Sequence, residues 1–201
     1  AGHLRHGQAE RIASAAMRAI LLEQYGGPEV LQLHDLPDPQ PGAEEVLVDV
    51  VCSALNRADL LQRGGGYPSP PAVGFPAGWK GEIPGLEFAG RVAAVGERVR
   101  LWKVGDSVMA VTGVAGFAEK TVCHERQLML VPSTVPLGEA AAIPEVWITA
   151  WDALVAQGGL GSGQVALVHA GGSGVGTAAI QIAKAIGATI VVTCSASKVE
   201  R

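Results

Sequence analysis

VALVHAGGSGVGTAAIQIAKAIGATIVVTCS, residues 165–195, decides the architecture. It opens on a continuous apolar run, VALVHA (165–170), of the kind that makes a strand buried on both faces. GGSGVG follows at 171–176, TAAIQIAKAIGA (177–188) has helical periodicity up to Gly187, and TIVVTCS (189–195) is a second buried-strand run. Strand, glycine-rich turn, helix and strand in this order make one β-α-β unit with parallel strands. Glycines let the backbone turn tightly and approach a pyrophosphate, and the helix start beyond them offers free N–H groups and a positive dipole end. The turn therefore reads as a dinucleotide site, with a plain strand-to-helix turn as the alternative. The strict Gly-x-Gly-x-x-Gly spacing is absent, because Thr177 stands where the third glycine belongs.

The end of the second strand bears on which dinucleotide. An acid about 20 residues past the glycines ordinarily holds the ribose hydroxyls of NAD. Here Thr193, Cys194, Ser195, Ala196, Ser197 and Lys198 precede the first acid, Glu200. Hydroxyls and an ammonium suit a 2′-phosphate, so NADPH is favoured over NADH, with an ordinary polar loop as the alternative reading. Such a nucleotide domain normally has about six strands. Only two are legible here, so residues 1–201 by themselves are expected to bind NADPH weakly or not at all.

Upstream the pattern differs. RAILLEQ (18–24), EVLVDVVCSAL (45–55), EFAGRVAAVG (87–96), DSVMAV (106–111) and FAEKTVCH (117–124) are short, β-rich and separated by Gly and Pro turns. They predict a barrel-like all-β unit. Residues 64–84 have little periodicity and read as a functional loop or a flexible insertion. LGEAAAIPEVWITAWDALVAQ (137–157) has helical spacing that Pro144 should break or kink. The predicted organisation is an extension over 1–16, a β domain over 17–136 and an incomplete nucleotide-binding domain over 137–201. Arg5, Arg11 and Ser14 make residues 1–16 a targeting remnant or a simple extension, with Met17 as a natural start.

Composition narrows the function classes. The 201 residues are 48% hydrophobic and 17% charged with net charge −4, which disfavours disorder and a polyanion-binding surface. Cys52, Cys123 and Cys194 are far apart, so neither a disulfide framework nor a metal knuckle is predicted. No apolar run reaches ~18 residues, so no membrane span is expected. A reducing, cytoplasmic setting is the simplest expectation, with a plastid or mitochondrion as the alternative if residues 1–16 are a targeting remnant.

Several longer strings carry a resemblance. They include GGPEVLQL (26–33), SALNRADLLQRGGGY (53–67), GLEFAGRVAAVG (85–96), WKVGDSVMAV (102–111), GFAEKTV (116–122), AAAIPEVWITAWDAL (140–154) and HAGGSGVGTAAIQIAKAIGA (169–188). Over residues 17–201 the chain resembles the medium-chain dehydrogenases/reductases of the quinone oxidoreductase branch. That resemblance implies a β plus α/β fold: a GroES-like β-barrel domain followed by a partial Rossmann domain, with the active site in the cleft between them. It implies that Ser173, Gly174, Val175 and Gly176 contact the NADPH pyrophosphate and that Ser195 and Lys198 lie near its 2′-phosphate. It also implies that Thr149 lies near the nicotinamide and that Asn56 and Tyr67 face substrate and nicotinamide. The homodimer it implies is that of the full-length protein. Zinc-containing cousins use a Cys and a His where this chain has Asn56 and Leu86, and they carry a four-cysteine lobe. No tetrahedral ligand set is visible, so a zinc-free enzyme is expected. The isolated His34, His124 and His169 read as structural.

The implied activity is hydride transfer from NADPH to quinones or α,β-unsaturated carbonyls, with Tyr67 able to donate a hydrogen bond to the acceptor oxygen. The alternatives are an enoyl thioester reductase, an inactive isoform acting by protein interaction, and an RNA binder, which the negative charge disfavours.

Overall fold

The computed structural model describes residues 16–67, 69–70, 72–75 and 81–199. The expectations for residues 1–15, and for much of the segment between Pro71 and Pro84, lie outside the described residues. The chain divides into two compact units that meet between Ala142 and Ile143.

The first unit is built on antiparallel strands. β1 (Ala16–Leu21) pairs with β2 (Gln32–Pro37). A second sheet runs in the order β6-β3-β4-β5-β7, from β3 (Glu45–Ser53), β4 (Glu87–Val95), β5 (Ser107–Val111), β6 (Lys120–His124) and β7 (Met129–Leu130). The alternation read in EVLVDVV puts Val46 and Val48 into the core, against Phe88, Val92, Val108 and Ala110. A second cluster gathers Met17, Ala19, Leu21 and Leu36 against Ile83, Val114 and Ala118. The two sheets are tied where Ile20 N–H donates to Phe117 O (2.9 Å) and Glu119 N–H donates to Arg18 O (2.9 Å). The Arg18 guanidinium closes the same seam on Glu119 and holds its carboxyl below the usual range.

Three elements here went unpredicted. β2 begins in the last two residues of GGPEVLQL and runs past it, β7 lies outside the predicted strand segments, and α1 (Arg57–Arg63) is a seven-residue helix inside SALNRADLLQR. Asn56 caps α1, and the Asp59 carboxylate accepts from the Asn56 main-chain N–H at 2.6 Å, as a capping box requires.

The second unit begins with α2 (Pro144–Trp151), which runs on as a π-helical turn over Asp152–Gln157. Pro144 does not kink a longer helix. It takes the first position of α2, where its missing N–H costs nothing, and Ala140–Ala142 form a separate 3-10 turn before it. β8 (Val165–His169) pairs in parallel with β9 (Thr189–Thr193), and α3 (Gly174–Ile186) connects them. Gly187 ends α3 in the left-handed region (φ 82°), where a residue with a β-carbon is strained. Ala178, Ala179 and Ile182 of α3 pack on Ala150 of α2, with Val168 and Ile190 of the strands closing the cluster.

One expectation is corrected. β8 and β9 are not buried on both faces: Val165 and Leu167 are 67% and 62% exposed, and Val191 is 50% exposed. Within this unit each strand has one partner, and α3 covers one face only. Among the described residues, no helix is long and apolar enough to cross a membrane.

Candidate functional site

In the second unit the glycine-rich turn is held by short-range bonds. β8 ends at His169, and the next residue, Ala170, has a φ of 57° that is unusual for a residue with a side chain. Ser173 N–H donates back to Ala170 O (2.9 Å), and Gly171 N–H donates to Thr193 O (2.9 Å), which fixes the turn to the end of β9. Ser173 is the N-cap of α3: its Oγ accepts from Gly176 N–H at 3.0 Å, and its carbonyl accepts from Thr177 N–H at 2.8 Å. That leaves the Gly174 and Val175 amides as first-turn donors for an external acceptor. Gly176 is buried where the helix crosses the strand end, and a β-carbon there would stand 2.4 Å from Ala170 O. The predicted helix start at Thr177 moves three residues back, because the last three residues of GGSGVG form the first turn of α3.

The residues after β9 return to this turn. Ser195 caps a 3-10 turn over Ala196–Lys198 and lies 3.4 Å, Oγ to Oγ, from Ser197. The Lys198 chain folds across Gly172, with Nζ 3.4 Å from the Gly172 carbonyl oxygen. All three of these side chains are exposed. Thr149 lies on α2 one turn beyond Val146, and Val146 packs against Gly174. Its hydroxyl donates to Glu145 at 3.3 Å. His169 is not isolated: Nδ1 lies 2.9 Å from Thr193 Oγ1 across the paired strand ends.

In the first unit Asn56 is the N-cap of α1, and Tyr67 lies in the loop that follows Gly64, the C-cap of the same helix. Asn56 is half-buried, and its Nδ2 donates to Glu87 Oε1 at 2.8 Å. Tyr67 is 38% exposed, in a loop fastened on both sides. Gln62, fully buried, donates to Ser69 Oγ (2.9 Å) and to Glu82 Oε1 (3.0 Å). Tyr25 donates to the other oxygen of Glu82 (3.1 Å), a bond that raises the phenol's pKa, and its ring lies against Gly65. Glu87, Glu82, Gln62 and Tyr25 were not singled out from the sequence. A readable signal did exist for Glu87, an acid set between Leu86 and Phe88 at the start of an apolar strand.

Residues 42–133 match the alcohol dehydrogenase GroES-like domain. The quinone oxidoreductase of Lama guanicoe is 37% identical over 171 residues, covering 84% of this chain and 50% of that protein. The chain belongs to the quinone oxidoreductase group of the medium-chain dehydrogenases/reductases. The quinone oxidoreductase of Pseudomonas syringae pv. Tomato superposes with a TM-score of 0.80 at 34% identity, over 90% of this chain and 54% of that one. A mycobacterial relative solved in complex with NADPH superposes with a TM-score of 0.79 at 31% identity, over 92% of this chain and 55% of that one. The chain thus spans about half the length of the relatives it matches.

Its membership gives the two units their family reading: a GroES-like domain, then a partial Rossmann domain. Where zinc-containing family members are expected to place Cys and His ligands, Asn56 and Leu86 stand, and Leu86 is 5% exposed. Among the described residues no three His, Cys, Asp or Glu side chains are grouped as a metal site would need.

Proposed function

We propose that this protein is an NADPH-dependent, zinc-independent reductase that delivers hydride to quinones or α,β-unsaturated carbonyls. The observation that carries the proposal is the convergence of the α3 start and Lys198 on one glycine turn. The residues fit a phosphorylated dinucleotide. The Gly174 and Val175 amides and the positive end of α3 suit a pyrophosphate, and the bare Gly176 lets the helix close on the strand. Ser195 and Lys198, with no acid between Thr193 and Val199, suit a 2′-phosphate better than free ribose hydroxyls. Thr149, on the α2 face next to Gly174, is assigned to the nicotinamide end.

When bound, the reduced nicotinamide supplies the hydride. The chain's residues then have positioning tasks. Asn56 and Tyr67 are assigned to the acceptor, with Tyr67 Oη donating a hydrogen bond to the oxygen that gains charge. Electron-poor acceptors need little further acid assistance, which fits the absence of an imidazole or carboxylate pair in the assigned set.

The test is NADPH oxidation by the full-length protein against a panel of quinones, enones and enoyl thioesters, with and without a chelator. The expected result is turnover with quinones or enones that the chelator does not change. Turnover confined to enoyl thioesters, or lost to the chelator and restored by zinc, would contradict the proposal.

A further inference from the structure

Glu87 is a carboxylate at the start of an apolar strand, and it is 1% exposed. An acid in that position is costly unless hydrogen bonds hold it. One of its partners is the half-buried amide of Asn56, whose Nδ2 donates to Glu87 Oε1 at 2.8 Å. A second bond joins the same two segments: Ser53 Oγ donates to the main-chain carbonyl of Glu87 at 2.6 Å. Asn56 is also fixed through its backbone, with its N–H on the Asp59 carboxylate (2.6 Å) and its carbonyl accepting from Asp59 N–H (3.1 Å). The junction between β3 and α1 is therefore stitched to β4 at the residue assigned to the acceptor.

The chemistry of the partner matters more than the stitch itself. The oxygen and nitrogen ends of a side-chain amide have almost the same shape, so packing alone does not choose which end faces a neighbour. In its ionised form the Glu87 side chain accepts and does not donate, so in that form it admits only the nitrogen end. Its charge also makes the bond stronger than one between neutral groups.

We propose that Glu87 is a positioning residue that holds the Asn56 amide with its nitrogen toward β4, keeping the second N–H of Asn56 as a donor for the carbonyl or quinone oxygen of the acceptor. The acceptor half of this rests on the function proposed above. The orientation of the amide does not.

Two measurements separate the halves. In the isotopically labelled wild-type chain, the side-chain amide of Asn56 is expected to show one slowly exchanging, downfield proton and a through-hydrogen-bond coupling to the Glu87 carboxyl carbon. Glu87→Gln should weaken that signature, because a neutral amide oxygen is a poorer acceptor than a carboxylate. In turnover of quinone by the protein, Glu87→Gln and Asn56→Ala should each lower kcat about tenfold with KM for NADPH nearly unchanged, and the double variant should be no slower than Asn56→Ala alone. Two ordinary, fast-exchanging amide protons in the wild type would overturn the proposal, even if Glu87→Gln does not fold. So would a Glu87→Gln effect that persists in full in the Asn56→Ala background, which would mark a structural role independent of Asn56. An intact signature with unchanged turnover in both variants would overturn the acceptor half. A wild type that reduces no quinone or enone would instead overturn the proposed function, with the amide signature still deciding the orientation.

Discussion

Gly176 packs so closely on Ala170 that a β-carbon at Gly176 would stand 2.4 Å from the Ala170 carbonyl oxygen. The atoms in the way are backbone, so no side chain can rotate aside. Gly176→Ala is expected to cost about 1–3 kcal/mol of stability, as overpacking does. It should also lift the α3 start away from the strand end. Thermal melting checks the first effect. Loss of NADPH binding in the fraction that still folds checks the second.

Glu125 stabilises the first unit in a pH-dependent way. Its carboxylate accepts from the main-chain N–H groups of Arg100 (2.7 Å) and Leu101 (3.0 Å), and those bonds pull its pKa below the ordinary 4.5. A carboxyl with a lowered folded-state pKa contributes stability above the unfolded value, and that contribution disappears as pH falls through the folded value. Glu125→Gln should therefore lower the melting temperature at neutral pH. The gap from wild type should close below about pH 4.5. A gap that is constant with pH would mean that the carboxylate charge is not what matters.

The cysteines should react in a fixed order. Cys194 is exposed, Cys52 is half-buried, and Cys123 is buried with its thiol pushed up to about 12 by desolvation. The thiolate is the reactive form, so Cys123 is protected twice, by access and by protonation. Mass spectrometry after brief alkylation at pH 8 should find Cys194 modified first, and Cys123 modified only after unfolding.

Tyr67→Phe tests the donor assigned to the acceptor oxygen. Turnover should fall about tenfold, the value of one hydrogen bond of some 1.4 kcal/mol, with NADPH binding kept. Unchanged turnover would remove Tyr67 from the mechanism. Gln62→Leu, which cuts the tie from α1 to Ser69 and Glu82, should lower turnover in the same direction by loosening the loop that carries Tyr67.

How much of this was legible depended on whether the signal was local. The β-α-β unit could be read because two apolar runs, a glycine turn and a periodic helix stand next to one another. The burial of β8 and β9 could not, because it depends on what covers a strand, and Val165 and Leu167 are exposed here despite their apolar run. α1 escaped because seven residues barely span two turns, too few to show a period. The Asn56–Glu87 bond joins positions 31 residues apart, and no spacing rule connects an amide in one quoted string to an acid in another. The turn of Lys198 back onto Gly172 likewise depends on how the chain folds after β9.

The central claim is that the α3 turn and Lys198 together hold a 2′-phosphorylated nicotinamide dinucleotide. Titration of the full-length wild type and of its Lys198→Ala variant with NADPH and with NADH tests it most directly. The wild type should prefer NADPH, and Lys198→Ala should weaken NADPH binding about tenfold or more while leaving NADH within about twofold, as loss of one charge-assisted bond to a phosphate requires. Equal loss for both dinucleotides, or a wild type that prefers NADH, would contradict it.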